Sequence, residues 1–506
     1  MKKLLTLITV ALFINACANK EEAEETPQYQ ANSKQEIDAF IIEKGIPTFR
    51  WTMASDALLM SALDATDKVA AIGYKPADAS NVEDRLADIN IADAPWQAAR
   101  NEVLDIVFEE ESKINKSLNR NDLEVFGTEK TLPVLNVKIQ NMNTIKRLRA
   151  SGLVRYVDAL AYQPNLSSGV VLRSGSGCGG YLGNAGLTAP NDFSSLTPNA
   201  KAPWNYAFHQ ITQAWAQSTG AGVKVMIIDS GVSPNQDNLG SQFNQGASSG
   251  RAIEKKLTLA KNWFWESSPT INDDCGHGTA MAGLCAAPRG TDGNATGVAY
   301  SAGLVSVRAS NDVFISGSGE FKGVADAYTL LGNRADIKIS SMSLGTLLYS
   351  SQIADAIKYA YGKGKLMFCA AGTSFSWSSG LVGVIFPATM NEVMAITGIK
   401  DSPTNTTCDE CHDGAEVDFV VVMEKASNGL HMVTTAMSGD VPTTVGGSSS
   451  ATATTAGMAA LIASKFPTLT RAQIVEKMRV NASLGNNKSN KYGWGRLNVN
   501  AALSGN

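Results

Sequence analysis

GVKVMIIDSGV, Gly222 to Val232, is the stretch on which the fold turns. Its centre, Val225 to Ile228, is apolar without a break, the pattern of a strand buried on both faces. The run ends at Asp229, which places a carboxylate at the strand's C-terminal edge, where α/β folds build their sites. A carboxylate buried there needs a partner.

Outward from this strand the pattern repeats. AGLVSVRA, IKISSMSL, KLMFCAAG and VMAITGI are further short apolar runs, separated by helical patterns. Buried parallel strands alternating with helices predict an α/β fold, a mainly parallel sheet flanked by helices. Before about residue 165 the grammar differs: the chain is charged, helix-rich in pattern, and has glycine only at 45, 73, 127 and 152 of its 45 glycines. At 506 residues two or three domains are expected. Residues 130–162 read as strand, helix, strand, with LPVLNVKI, then MNTIKRLRAS before Gly152, then LVRYVDALAY. Pro164 to Ala200 is rich in Gly and Ser and reads as loop or linker.

The formal net charge of −4 and the lack of a long basic run give no reason to expect a nucleic-acid partner. The N-terminus reads as a signal segment over 1–16: MKK, the apolar run LLTLITVALFI, then Ala16 before Cys17. Ile14, Asn15, Ala16 and Cys17 resemble a lipobox, so an acyl chain on Cys17 would anchor the protein to a membrane without spanning it. A plain secretory signal with an incidental cysteine is the alternative. Residues 17–35, with KEEAEE, read as an acidic tether, similar to the surface-export tags of some Gram-negative lipoproteins. The expected location is the bacterial outer membrane or cell surface.

Two more segments carry chemistry. In DDCGHGTAMAGLCAA, His277 stands between glycines and opens a helical run of small residues. In GGSSSATATTAG, Gly446 to Gly457, a glycine turn precedes another small-residue helix, which puts a serine where the helix dipole favours negative charge. The three segments resemble the Asp, His and Ser blocks of the subtilase family of serine proteases, in the family's order along the chain. PWNYAFHQITQAWAQSTGAGVKVMIIDSG, ADIKISSMSLG, FCAAG and YGWGRLNVNAAL resemble further family blocks, so the likeness covers about residues 200–503.

That resemblance implies a catalytic triad of Asp229, His277 and Ser449. The register with Ala451, Thr452, Ala456 and Gly457 selects Ser449 from its neighbours. It implies a substrate cleft lined by Ser343, Leu344, Gly345, Ala370, Ala371 and Gly372, and an oxyanion hole at Ser449 and Thr373. The family's usual asparagine is replaced by Thr373, and in subtilisin the loss of that donor costs roughly 10²–10³ in turnover. Ala453 stands for the usual proline and Ala280 for a frequent histidine. The resemblance further implies a monomeric endopeptidase acting on peptides or proteins, with 36–165 as an α+β prodomain and intramolecular inhibitor, 166–199 as a linker and 200–506 as the peptidase domain. Side-chain preference would come from loops such as SFSWSSGLVG, Ser374 to Gly383. A peptide-binding pseudoprotease, suggested by Thr373, and an esterase using the same triad are the alternatives.

Of the six cysteines after Cys17, Cys285 and Cys369 read as buried small hydrophobes. Cys408 and Cys411 can bridge within a loop, and Cys275 can meet Cys178. CDECH also matches a c-type haem attachment pattern or an incomplete zinc site. Subtilases often bind structural Ca²⁺, and Asp237 with the loop TDGNATG, where Asn294 lies, offers oxygen ligands. An ordinary polar turn is the other reading. No catalytic cofactor is implied, and His209 and His431 are expected to be packing or surface residues.

Overall fold

The computed structural model describes residues 29–165, 177–261, 267–373 and 383–504. The signal segment, Cys17 and nearly all of SFSWSSGLVG lie outside the described residues.

The N-terminal unit begins earlier than residue 36. Ser33 caps helix α1 (Lys34–Lys44): its hydroxyl accepts from the N–H of Glu36, whose carboxylate accepts from the N–H of Ser33 at 2.7 Å. Upstream of it, the Tyr29 hydroxyl reaches Asp64. Ser55 caps α2 (Asp56–Asp64), and β1 (Val69–Tyr74), α3 (Ala94–Ile114), β2 (Val134–Lys138), α4 (Met142–Ala150) and β3 (Val154–Ala159) follow. The strands form an antiparallel sheet in the order β2-β1-β3. Strand, helix and strand within 130–162 are as expected. Their sheet is completed through its centre by β1, whose VAAIGY is buried at every position and lacks a legible alternation.

The expected linker 166–199 is also partly structure: β4 (Phe193–Leu196) pairs antiparallel with β5 (Ala200–Pro203). After α5 (Ile211–Ala214) come β6 (Lys224–Asp229), β7 (Ile253–Leu257), α6 (His277–Ala286), β8 (Gly303–Arg308), α7 (Ser318–Asn333), β9 (Ile339–Met342), α8 (Ser351–Gly362), β10 (Leu366–Ala370), β11 (Met394–Lys400) and β12 (Val417–Glu424). The short hairpin of β13 (Met432–Thr434) and β14 (Thr443–Val445) precedes α9 (Gly447–Lys465), α10 (Arg471–Val480) and α11 (Val499–Ser504).

Seven strands form one sheet in the order β12-β11-β10-β9-β6-β8-β7, every pair parallel. Alternate residues sort to its two faces. Val225 and Ile227 join the core under α6 and α9, whereas Met226 and Ile228 join the core under α7 and α8. This is the layered α/β fold expected.

The N-terminal unit sits on α7 and α8, so that Val134 and Tyr156 share a core with Val324 and Ile357. Polar ties fix the contact. Arg155 meets Asp355 at 2.6 and 3.1 Å, and the Tyr156 hydroxyl donates to the same carboxylate at 2.8 Å. Asn136 and Gln352 exchange amide hydrogen bonds at 2.9 and 3.1 Å. Asp158 accepts from the Ser351 N–H at 2.9 Å, at the N-terminus of α8 where the dipole favours an anion.

Candidate active site

Strand β6 delivers Asp229 to the sheet's C-terminal edge, and α6 starts there with His277. The His277 imidazole donates from Nδ1 to Asp229 Oδ1 at 2.7 Å, both side chains being buried. The same oxygen accepts from the Ser230 N–H at 2.8 Å. Burial alone would lower the pKa of His277, but the Asp229 charge and hydrogen bond, helped by Asp273 and Asp312, outweigh it and leave the pKa raised. The carboxylates thus stabilise the cationic form of the ring relative to an imidazole in water.

Asp273 holds the first turn of α6 in place. Its carboxylate accepts from the N–H groups of Cys275, Gly276 and Thr279 at 2.9, 2.7 and 2.9 Å, and from the hydroxyls of Thr279 and Ser230 at 2.6 and 2.9 Å. Ser230 Oγ in turn accepts from the Gly278 N–H at 2.9 Å. Sequence reasoning missed Asp273, although an Asp ahead of a Gly-His helix start is a readable capping signal.

Ser449 lies in the first turn of α9, with 9% of its surface exposed, and its carbonyl accepts from Ser343 Oγ at 3.1 Å. Gly447 turns the chain into this helix at φ +77°, and a Cβ on it would lie 2.6 Å from Thr373 Oγ1. Helices α6 and α9 pack on the same face of the sheet, and the helix starts bearing His277 and Ser449 both lie at its C-terminal edge, the first beside Asp229 after β6 and the second beside Ser343 and Gly372 after β9 and β10.

Thr373, just after β10, is tied to the residue before Ser449. Its hydroxyl oxygen accepts from the Ser448 N–H at 3.1 Å and shares a hydrogen bond with Ser448 Oγ at 3.0 Å. Ser448 Oγ also accepts from the Gly372 N–H at 3.1 Å. When Ser448 donates to Thr373, the threonine's own proton is left for another acceptor. Of the other expected cleft residues, Ala371 is paired within the protein through Ile396 and Ile385. Gly345 donates to the Val313 carbonyl at 3.1 Å and accepts from the Ile315 N–H at 2.9 Å, so both its backbone groups are engaged. Leu344 and Ala370 are buried side chains beside them.

Two disulfides frame this region. Cys408–Cys411 lies behind Thr373, which bridges to Cys411, and the His412 N–H donates to the Gly372 carbonyl at 2.9 Å. The sulfurs of CDECH are bonded to each other, which leaves no thiolate for haem or zinc there. Cys178–Cys275 ties the chain ahead of β4 to the residue two before His277. Tyr181 then lies with its ring centroid 6.4 Å from that of His277. The Gly/Ser-rich reading of this stretch as a linker gave no sign of that. Cys285 and Cys369 are free and buried. His209 is a core residue, bonded to the Leu497 carbonyl at 2.8 Å and accepting from the Val422 N–H at 3.1 Å.

At the suggested calcium site both polar groups of Asn294 are engaged within the protein. The Asn294 amide donates to the Gly439 carbonyl at 3.1 Å while its oxygen accepts from the Ala295 N–H at 2.8 Å. The Lys201 ammonium donates to the Gly293 carbonyl and interacts with Asp292 and Asp440, supplying positive charge there already. Asp237 begins a 3₁₀ turn, and the pKa of Asp440 is raised by burial and by the charges of Asp292 and Asp237. Among the described residues no group of three or more His, Cys, Asp or Glu is placed to hold a metal ion.

Residues 220–495 match the sequence profile of the subtilase family, peptidase S8. The chain is 28% identical over 382 residues to M-protease of Shouchella clausii (strain KSM-K16), covering 75% of this chain and 82% of that protein. It is 31% identical over 302 residues to Subtilisin Savinase of Lederbergia lenta, covering 59% of this chain and 98% of the relative. The fold is similar to the crystal structure of fervidolysin from Fervidobacterium pennivorans, a keratinolytic enzyme related to subtilisin, with a TM-score of 0.58 at 19% identity over 87% of this chain and 61% of the other.

Proposed function

This chain belongs to the subtilase family of serine proteases, and from that premise we propose that Asp229, His277 and Ser449 are its catalytic triad. The observation that carries the reading is the buried 2.7 Å bond from His277 to Asp229 at the edge where the Ser449 helix begins. With Nδ1–H given to Asp229, Nε2 is the imidazole's free base. It takes the Ser449 proton as the oxygen attacks a peptide carbonyl, then returns it to the leaving amine. Asp229 keeps the ring in that tautomer and stabilises its cation. The Ser449 N–H at the start of α9, with the Thr373 hydroxyl, receives the oxyanion, and water then hydrolyses the acyl-enzyme.

Residues 36–165 act as an inhibitory prodomain, removed by cleavage between about Ala159 and Ala200. The mature enzyme is an exported monomer held at the bacterial surface by lipid on Cys17. Support for export comes from the signal-like N-terminus and from a relative named minor extracellular protease Epr, of Bacillus subtilis (strain 168). Among the described residues no helix is long and apolar enough to cross a membrane. A second reading, a surface peptide-binding pseudoprotease, is favoured by one observation: Thr373, standing where the family has asparagine, has its hydroxyl engaged with Ser448.

A fluorophosphonate probe on the processed protein, with mass spectrometry of the labelled peptide, separates the readings. Label on Ser449 that vanishes in His277→Ala is the outcome expected of a protease. A folded, processed protein that takes no label is a binding protein.

A further inference from the structure

The segment after residue 176 is fixed at more than one point beside the start of α6. It is covalently bonded through Cys178–Cys275. It also joins the loop leading to β14, whose Met437 packs on Gly276. The Tyr181 carbonyl accepts from the Met437 N–H at 3.0 Å, and the Asn184 N–H donates to the Pro442 carbonyl at 2.8 Å. Tyr181 is locked as well, since its hydroxyl donates to the Gly177 carbonyl at 2.7 Å. The ring occupies the space that a side chain at 276 would need, because a Cβ on Gly276 would lie 2.8 Å from Tyr181 Cδ2. A disulfide and two backbone hydrogen bonds are more than a passing linker requires. Cleavage anywhere between residues 165 and 177 would leave all three intact.

Against this rigid backing the next residue is conspicuous. Leu182 is 77% exposed, more than any other large apolar side chain among the described residues, and Val441, against which Gly183 packs, is 45% exposed. His277, close to Tyr181, keeps only 3% of its surface. Apolar surface left in water next to such a residue gains free energy when an apolar group covers it.

We propose that Tyr181 and Leu182, on this disulfide-anchored segment, form the wall of the peptide cleft on the His277 side and select an apolar substrate side chain there. The proposal rests on the reading of Asp229, His277 and Ser449 as a protease triad. Tyr181 supplies a fixed aromatic face and Leu182 the contact that ranks one side chain over another. The anchor keeps both in place once the prodomain has left.

The test uses the processed protein and internally quenched peptides varied one position at a time around the scissile bond, alongside the rate of fluorophosphonate labelling of Ser449. The wild type should favour aliphatic or aromatic over acidic residues by about tenfold or more at one position, the scale that a methylene or two supplies in a pocket. Leu182→Asp, a change to an exposed side chain, should abolish that preference at one position, an effect at least tenfold larger than any change in the labelling rate or in the preferences at the other positions. Tyr181→Ala, and Cys178→Ser combined with Cys275→Ser, should weaken the same position. An unaltered profile in Leu182→Asp and Tyr181→Ala with normal labelling overturns the wall. A wild type without label overturns the protease reading, and the wall falls with it.

Discussion

Asp273, through the residues it holds, and Thr373, as a proposed oxyanion donor, each make a prediction at the scale of one side chain. The Asp273 charge is among those that raise the pKa of His277. Asp273→Asn should therefore lower that pKa. Since the general base must be neutral, the acid limb of the kcat/KM profile should move to lower pH. The same change weakens the buried hydrogen bonds that hold the first turn of α6, at a cost of about 1–3 kcal/mol, so the pH profile is the measurement that separates electrostatics from folding. Thr373→Val should lower kcat by roughly 10²-fold with little change in KM, if the threonine hydroxyl serves the oxyanion. An unchanged kcat would assign that work to the Ser449 N–H alone. Asp229, His277 and Ser449 could be proposed from the sequence because the segments that hold them resemble three family blocks in their order along the chain. The tie between Thr373 and Ser448 could not, since it forms only when the end of β10 meets the start of α9. Nor could Tyr181, whose place depends on a disulfide spanning 97 positions of sequence.

At the scale of elements, the site exists because α6 and α9 pack closely on one face of the sheet. Their small residues carry little amphipathic signal, yet they decide the spacing. A Cβ on Gly457 would lie 2.7 Å from Val298 Cβ and 3.1 Å from the Cys285 carbonyl, and one on Gly283 would meet Thr435 Oγ1 at 2.1 Å. Gly457→Val should cost about 3 kcal/mol or more through overpacking, read as a lower denaturant midpoint, and should slow labelling of Ser449 as α9 shifts. A midpoint equal to that of the wild type would mean that α9 tolerates displacement. The five strands legible in the sequence, β6, β8, β9, β10 and β11, are the interior five of the sheet, where burial on both faces gives unbroken apolar runs. The edges were not legible for two different reasons. IEKKL in β7 carries the charges that protect an open edge, and so does not read as a strand. β12 follows the CDECH loop, whose cysteines drew the reading toward metal and disulfide chemistry.

For the whole molecule, the proposed removal of the N-terminal unit turns on how tightly it holds α7 and α8. Part of the answer lies in Asp158. Burial pushes its pKa up to about 6, with Asp355 adding to the rise and the Ser351 N–H and Arg50 opposing it. Once freed into water, the same carboxyl would titrate near the ordinary value of about 3.9. The bound state therefore holds the proton more tightly than the free state. The contribution of Asp158 to the contact is complete below about pH 4 and is lost as the pH rises through about 6, amounting to about 3 kcal/mol at most. Arg155 works the other way: it is buried against Asp355, and its removal would strand a buried carboxylate at a cost of about 3–5 kcal/mol. After cleavage of the connecting chain, the two pieces should therefore stay together longer at pH 4.5 than at pH 7.5. The interval between nicking, seen on a denaturing gel, and separation, seen by size exclusion, measures this directly. Asp158→Asn should flatten the dependence by removing the titration, whereas Arg155→Leu should shorten the interval at both pH values. A nicked wild-type complex that separates equally fast at both would mean that the apolar contact of Val134 and Tyr156 with α7 and α8, indifferent to pH, governs release.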